Sequence, residues 1–371
     1  MDFGLMFFSS VAAASPGGAY RLLTEAARFA DERGFRCVWT PERHFHPFGG
    51  LFPNPSVLGA ALAMITRRIE IRAGSLVAPL HDVLRIAEDW SVVDNLSGGR
   101  AAISFGSGWN IEDFVLRPEV YSDRQAHMYH QIEEVRALWR GERLARRDSN
   151  GREVRIGIYP RPVQAELPVW VTSSGNVRTF ESAGAIGANL LTHLIGQTLD
   201  QAAEKIRSYR EARSAHGLDP DAGKVALMLH TFLGSDLDAA REKARTPFRE
   251  YLRSALSLEQ LAAAGGGAIS GGHRIAAHEI PPAALEELLD LTFERYAQSA
   301  SLLGTPESCR ELLWQAEDAG IDEIACLIDF LDDNGAVLAG LEHLDEVRAA
   351  FSTPALEAAT EAAASSFLEE L

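Results

Sequence analysis

The chain has 371 residues, 46% of them hydrophobic and 23% charged, and a net charge of −17. That suits one large α/β domain with insertions, or two smaller ones, with core enough to need neither a disulfide nor a structural metal. The acidic balance argues against a nucleic-acid or anionic-membrane surface, so any bound phosphate must be held by a local positive or amide-rich pocket.

From the start, MDFGLMFFSS is apolar, lacks a basic leader and is interrupted by Asp2, so it reads as a strand, Phe3 to Phe8, and not as a signal peptide. No apolar run approaches the roughly 20 residues of a bilayer span, and the chain is expected to be cytoplasmic. Short apolar strands then alternate with amphipathic helices. Tyr20 to Arg33 is a helix closed by Gly34, followed by a strand over Arg36 to Thr40, a helix over Ser56 to Thr66 and a strand over Ile69 to Ala78. His81 to Asn95 is a helix stopped by Ser97-Gly98-Gly99, Arg100 to Phe105 a strand, and Arg124 to Trp139 a helix. Arg140 to Glu166 is a polar excursion with a small hairpin. Strands over Pro168 to Thr172 and Asn189 to Thr192 are each followed by a helix, Val177 to Ile186 and Asp200 to Ala215. Val225 to Leu233 is strand seven, with a helix from Asp236, and Ile321 to Asp329 is strand eight, with a helix over Ala336 to Phe351. Eight such units close naturally into a (β/α)₈ barrel.

One barrel domain over residues 1–351 is therefore expected, with rim insertions. The longest, 254–301, carries Ala264-Gly-Gly-Gly and Gly271-Gly272 and reads as a lid or as a plain surface excursion. The Ala/Glu-rich stretch 352–371 reads as a peripheral tail. The three cysteines, Cys37, Cys309 and Cys326, form no metal or disulfide spacing.

In such a barrel the reacting groups lie where strands end. Strand two ends in Glu42-Arg43-His44-Phe45-His46, a carboxylate, a guanidinium and two imidazoles within five positions. The histidines suit acid or base work. Metal ligation competes but is disfavoured by Arg43, and a hydrogen-bonded rim is the bland alternative. Strand three ends in Gly74-Ser75, small enough to let a flat ring approach. Strand four ends in Ser104-Phe105-Gly106-Ser107, and strand five in Thr172-Ser173-Ser174-Gly175-Asn176 at a helix start. Arg178 and Thr179 lie in that helix's first turn; an anion site and an ordinary N-cap both fit. His193 ends strand six and may serve either the pocket or the packing, and His230 is a weaker candidate. There is no Walker loop, GxSxG or HExxH.

These residues resemble those of the luciferase-like flavin monooxygenases. The stretches that carry the resemblance are VWTPERHFHPFGGLFPNPSVLGAAL, Arg85-Ile-Ala-Glu-Asp89 with Ser97-Gly98-Gly99-Arg100, VWVTSSGNVRTFESAGAIGANLLTHLIGQ and GIDEIACLIDF. They look closest to the subgroup of natural-product and mupirocin-type pathways. The resemblance implies reduced FMN from a separate reductase, with O₂ adding to it as a C4a-(hydro)peroxide. It implies a cis peptide at Gly74-Ser75 under the isoalloxazine, with Ser104, Gly106 and Ser107 lining the flavin. Ser173, Ser174, Gly175, Asn176 and Thr179 would hold the phosphate. It also implies hydroxylation or oxygen insertion on an acyl or aminoacyl intermediate, free or tethered to a carrier protein, and a homodimer. Two departures stand out. Arg43 takes the place of the first of the luciferases' paired histidines, where a guanidinium is suited to stabilising the peroxide anion or binding a substrate carboxylate while His44 or His46 handles protons, and Ser107 takes that of a phosphate-binding arginine, for which Arg178 is the substitute expected here. A deazaflavin-dependent hydride-transfer enzyme and a non-catalytic flavin-binding homologue are the alternatives.

Overall fold

The computed structural model describes residues 1–8, 18–173, 175–264 and 282–351. The chain begins with β1 (Asp2–Met6), α1 (Arg21–Arg33), β2 (Cys37–Thr40), α2 (Pro55–Ile65), β3 (Glu70–Val77), α3 (Val83–Ser97), β4 (Ala101–Gly106) and α4 (Arg124–Arg140). A two-stranded antiparallel hairpin follows, β5 (Leu144–Arg147) with β6 (Glu153–Ile156). Then come β7 (Val169–Ser173), α5 (Val177–Ala185), β8 (Asn189–His193), α6 (Leu199–Ala215) and β9 (Val225–Leu233). The chain continues through α7 (Leu237–Ala264), α8 (Pro282–Ser299), β10 (Ser301–Gly304), α9 (Arg310–Asp318), β11 (Glu323–Leu327) and α10 (Asn334–Phe351). Strands β1, β2, β3, β4, β7, β8, β9 and β11 pair in parallel in that order, and β11 returns to β1. The fold is a closed eight-stranded barrel ringed by helices.

The helices form for local reasons. Apolar Leu22, Leu23, Ala26, Ala27 and Ala30 of α1 recur at helical spacing and are buried. Asn54 caps α2 by accepting from the N–H groups of Ser56 and Val57 at 3.0 and 3.1 Å, with Pro55 preset for the first turn. Arg100, part of the family-like stretch, ties α2 to β3: it donates to Thr66 Oγ1 at 3.0 Å and to the Ile69 carbonyl at 2.5 Å. That arginine is architectural.

Two elements escape the sequence reading, which gave no element to 302–320. Ser301 to Gly304 forms β10, pairing with the distal half of β9 from His230 onward, and α9 follows it. A four-residue strand between helices carries too little periodicity to be seen. The expected insertion 254–301 is, in its described parts, the end of α7 and the whole of α8, joined by ion pairs from Arg249 and Arg253 to Glu286. Its residues 265–281 and the tail 352–371 lie outside the described residues.

Side chains alternate along each strand, so residues two apart share the barrel interior. One interior layer holds Trp39, Arg72, Trp170 and Glu323. The Arg72 guanidinium lies 4.6 Å from each indole ring and 2.9 Å from Glu323 Oε2, and its Nε donates to Glu70 Oε2 at 2.9 Å. Trp39 Nε1 donates to Glu323 Oε1 at 3.0 Å. Removing one member would leave an uncompensated buried charge, at a cost of about 3–5 kcal/mol. This ion pair plugs the barrel below the site.

Candidate functional site

Two residues further along, the same interior face carries Gly74, Ser104 and Thr172. Gly74 lies against Trp39: a Cβ there would meet the indole at 2.9 Å, so no larger residue fits. The Gly74–Ser75 peptide is cis, and the β3–β4 register shifts between Gly74 and Leu76. Thr172 Oγ1 lies 2.6 Å from Ser75 Oγ and 2.7 Å from Ser104 Oγ, so one hydroxyl knot joins the ends of β3, β4 and β7. Gly106 and Ser107 are half-buried just beyond it. Thr172 is absent from the sequence-based site residues, although strand parity places it beside Ser104.

The segment after β2 divides its four candidates among three tasks. Glu42 is buried, and its Oε1 takes both His44 Nε2, at 2.8 Å, and His81 Nε2, at 2.5 Å, while Oε2 accepts from Val77 N–H at 2.7 Å. Burial alone would raise the Glu42 pKa, but the two imidazoles and the amide outweigh it and hold the carboxyl below its ordinary range. An ionised carboxylate only accepts, so both histidines carry a proton on Nε2. Burial would lower the His81 pKa, yet its bond and charge contact with Glu42 raise it above the ordinary value. His46 stands apart, its Nδ1 accepting from Phe48 N–H at 3.1 Å in its own turn. His81 was read as a helix start only, and no local motif marks it.

Arg43 is 3% exposed, and its Nε, Nη1 and Nη2 have no hydrogen-bond partner among the described residues. Phe8, Phe48 and Trp109 place their rings 5.0 to 5.4 Å from the guanidinium carbon. Asp113, in the loop after β4, is buried and bonded to Asn110 Nδ2 at 2.8 Å. Burial pushes its pKa up to about 6 against the opposing charge of Arg43.

At the start of α5, the buried Ser173 Oγ has no partner among the described residues. Asn176 Oδ1 caps the helix through Arg178 N–H at 3.0 Å, and Thr179 is half-buried in the first turn. Gly175 has φ 112°, a conformation that other residues rarely adopt. Ser174 lies outside the described residues. The Arg178 side chain is exposed. A different cation lies closer: a Cβ on Gly175 would stand 3.3 Å from Lys205 Nζ and 3.2 Å from Gln197 Oε1, and Lys205 donates to that oxygen at 2.6 Å. Lys205 comes from the middle of α6, where the sequence offers no motif.

His193, half-buried at the end of β8, has its pKa pushed down by burial to about 4, and its Nδ1 accepts from Ile195 N–H at 3.2 Å. His230 is buried among Phe248, Tyr251 and Phe330, with its pKa pushed down to about 3 by burial and by His193. Both imidazoles are neutral at pH 7. Among the described residues, no group of three His, Cys, Asp or Glu side chains is placed to hold a metal ion.

Gly74, Ser104, Thr172, Ser173 and His193 sit at the C-terminal ends of barrel strands, and Glu42 to His46 follow the end of β2. The sequence profile described as luciferase-like monooxygenase matches residues 1–323. The chain belongs to the luciferase-like monooxygenase family. Its relatives include the oxygenase component of a flavin-dependent trigonelline monooxygenase of Acinetobacter baylyi, 25% identical over 346 residues and covering 90% of each chain. Among solved structures, the oxygenating constituent of 3,6-diketocamphane monooxygenase of Pseudomonas putida, in complex with FMN, superposes with a TM-score of 0.75 at 17% identity, over 95% of this chain and 99% of that one. The coenzyme F420-dependent tetrahydromethanopterin reductase of Methanopyrus kandleri shares the fold at a TM-score of 0.68 and 16% identity, over 93% and 99%. As a member of that family, the chain is a luciferase-like monooxygenase. No described helix is long and apolar enough to cross a membrane.

Proposed function

We propose that this luciferase-like enzyme binds reduced FMN delivered by a separate reductase and uses O₂ to hydroxylate, or insert oxygen into, an organic biosynthetic intermediate. The observation that carries this is the junction of the Ser75–Thr172–Ser104 hydroxyl knot over the flat Gly74–Trp39 contact with the amide-rich start of α5, where Ser173 Oγ is buried without a partner. A planar polar ring fits the first and a phosphate the second. Gly74, Ser75, Ser104, Gly106, Ser107 and Thr172 would flank the ring, with His193 as a neutral neighbour. Ser173, Ser174, Gly175, Asn176 and Thr179 would take the phosphate, with Lys205 or Arg178 supplying charge. Bound reduced FMN supplies the oxygen-activating chemistry.

The chain's own residues then shape where a substrate lies. His44, its proton held on Nε2 by Glu42, is the proton-handling group nearest the mouth, and His46 lies a turn beyond it. Arg43 offers unpaired donors. Tyr251 of α7 packs 4.3 Å from His230 and 5.4 Å from Phe48, so the helix that leads into 254–301 borders the site. This reading leaves open a free organic acid or a carrier-bound acyl or aminoacyl thioester as substrate. It also includes a homodimer, supported by an apolar patch on α2 and α3.

The test is anaerobic titration with reduced FMN and, in parallel, reduced F420, followed by absorbance. Binding of reduced FMN in the micromolar range, on the order of −8 kcal/mol, is expected, with reduced F420 weaker. Failure to bind reduced FMN would overturn the proposal, and tight binding of F420 instead would make the chain a hydride-transfer enzyme.

A further inference from the structure

Arg72 and Arg43 are both buried and sit against aromatic rings, and they differ in one respect. Arg72 lies between Trp39 and Trp170 and is hydrogen-bonded to both Glu70 and Glu323. Arg43 lies among Phe8, Phe48 and Trp109 and has no hydrogen-bond partner among the described residues. The carboxylates near it are committed elsewhere: Glu42 to His44, His81 and Val77, and Asp113 to Asn110. A buried cation without hydrogen bonds is costly, and such an orphan in a folded protein calls for a reason. The rings stabilise the charge through their faces and use none of its N–H groups. The guanidinium therefore keeps its whole planar fork of donors for something that arrives later.

We propose that Arg43 anchors the carboxylate of a planar organic acid, and that this acid is the substrate of the flavin site. The inference rests on the flavin reading above for the word substrate, but the anchor itself does not depend on it. A carboxylate presents two coplanar oxygens that match the guanidinium edge in a paired, charge-assisted contact. The surrounding rings of Phe8, Phe48 and Trp109 suit a flat unsaturated body. A thioester lacks the second charged oxygen, so the anchor selects the free acid over a carrier-bound acyl group. Lysine at this position would keep the charge and lose the fork.

The full chain, first saturated with oxidised FMN and its FMN affinity recorded, is titrated by calorimetry with benzoate, nicotinate, cinnamate and cyclohexanecarboxylate and with the four matching primary amides. At least one acid is expected to bind below about 10 mM, and its amide to bind about tenfold more weakly or less well still. Arg43→Met should lose about tenfold in affinity for the acid while its FMN affinity stays within about twofold of wild type. Its thermal midpoint without ligand should equal or exceed that of wild type, because an orphan charge has been exchanged for apolar atoms. A purely structural arginine would instead lower it. Should Arg43→Met not fold, Arg43→Lys carries the same comparison, with a loss of about threefold or more. Equal binding of acid and amide, no acid binding below that limit, or undiminished acid binding by the variants would overturn the anchor. A protein that binds acids through Arg43 but does not bind reduced FMN in the anaerobic titration would overturn the flavin reading and leave the anchor standing.

Discussion

Glu42 Oε1 lies 2.5 Å from His81 Nε2, so a residue that precedes α3 shares one buried carboxylate with His44 beyond the end of β2. The pair has opposite pKa shifts and therefore a defined pH window. Glu42 is depressed below its ordinary 4.5, so its contribution is present above that value and is lost as pH falls through the folded pKa. His81 is raised above 6.5, so its contribution is full below 6.5 and is lost as pH rises through the folded pKa. The interaction is thus strongest between about pH 4.5 and 6.5. His81→Asn should lower stability there by about 1.5–3 kcal/mol, the worth of a hydrogen bond to a charged group, and by less as pH rises through the raised folded pKa of His81. Denaturant melts of both proteins from pH 5 to 9 check this. A deficit that stays constant across that range would show that His81 acts by packing alone.

Thr172 bridges Ser75 and Ser104 with a single hydroxyl, and a hydroxyl donates only once. The three groups therefore form a directed chain that fixes both serines. Thr172→Val keeps the shape and removes the bridge. It should cost about 1–3 kcal/mol of stability and weaken FMN binding by about fivefold, because the serines are then free to turn away. Flavin titration together with thermal melts would measure both. Lost stability with unaltered FMN affinity would confine the knot to the scaffold.

The parity argument explains why much of the site is legible in the sequence. Strand ends can be found from apolar runs, and the residues just beyond them, Gly74-Ser75, Ser104 and the Ser173 segment, follow with no knowledge of long-range contacts. Residues whose role depends on a partner far along the chain are not legible in this way. His81 is drawn in by Glu42, 39 residues before it, and Lys205 reaches Gly175 from the middle of a helix. Asp113 feels the charge of Arg43 only because the loop after β4 folds back toward β2. The same limit explains β10, whose existence depends on β9 being long enough to pair with β8 first and a second strand beyond. Within the Glu42–His46 cluster, the sequence shows the chemistry of each side chain but not that Glu42 serves as acceptor, Arg43 as free donor and His46 as turn support.

The charge for the proposed phosphate can come from Arg178 or Lys205, and geometry favours Lys205. Its ammonium sits beside Gly175 at the positive end of α5, held there by Gln197, whereas the Arg178 side chain is exposed. Lys205→Met should weaken FMN binding about tenfold, roughly 1.4 kcal/mol, and leave riboflavin binding unchanged because riboflavin has no phosphate. Arg178→Ala should change FMN affinity by less than about twofold. The reverse pattern would assign the phosphate to Arg178, and equal losses for FMN and riboflavin would mean that Lys205 supports the fold and not the charge.

Helices α2 and α3 pack side by side and leave Val57 and Met64 of α2 64% and 70% exposed, with Val92 and Leu96 of α3 41% and 46% exposed. Val57 and Met64 are two helical turns apart and Val92 and Leu96 one, so each pair lies on a single face. Four large apolar side chains on neighbouring helices make a patch of the kind that a second copy covers. Because these side chains are already exposed, charges placed on them should not disturb the barrel itself. Val57→Asp with Met64→Asp should convert a dimer to a monomer in sedimentation or light scattering, with the thermal midpoint of the dilute protein shifted by no more than about 4 °C. A wild-type chain that already sediments as a monomer at about 10 μM, or a double variant that remains dimeric, would place the subunit contact elsewhere or remove it.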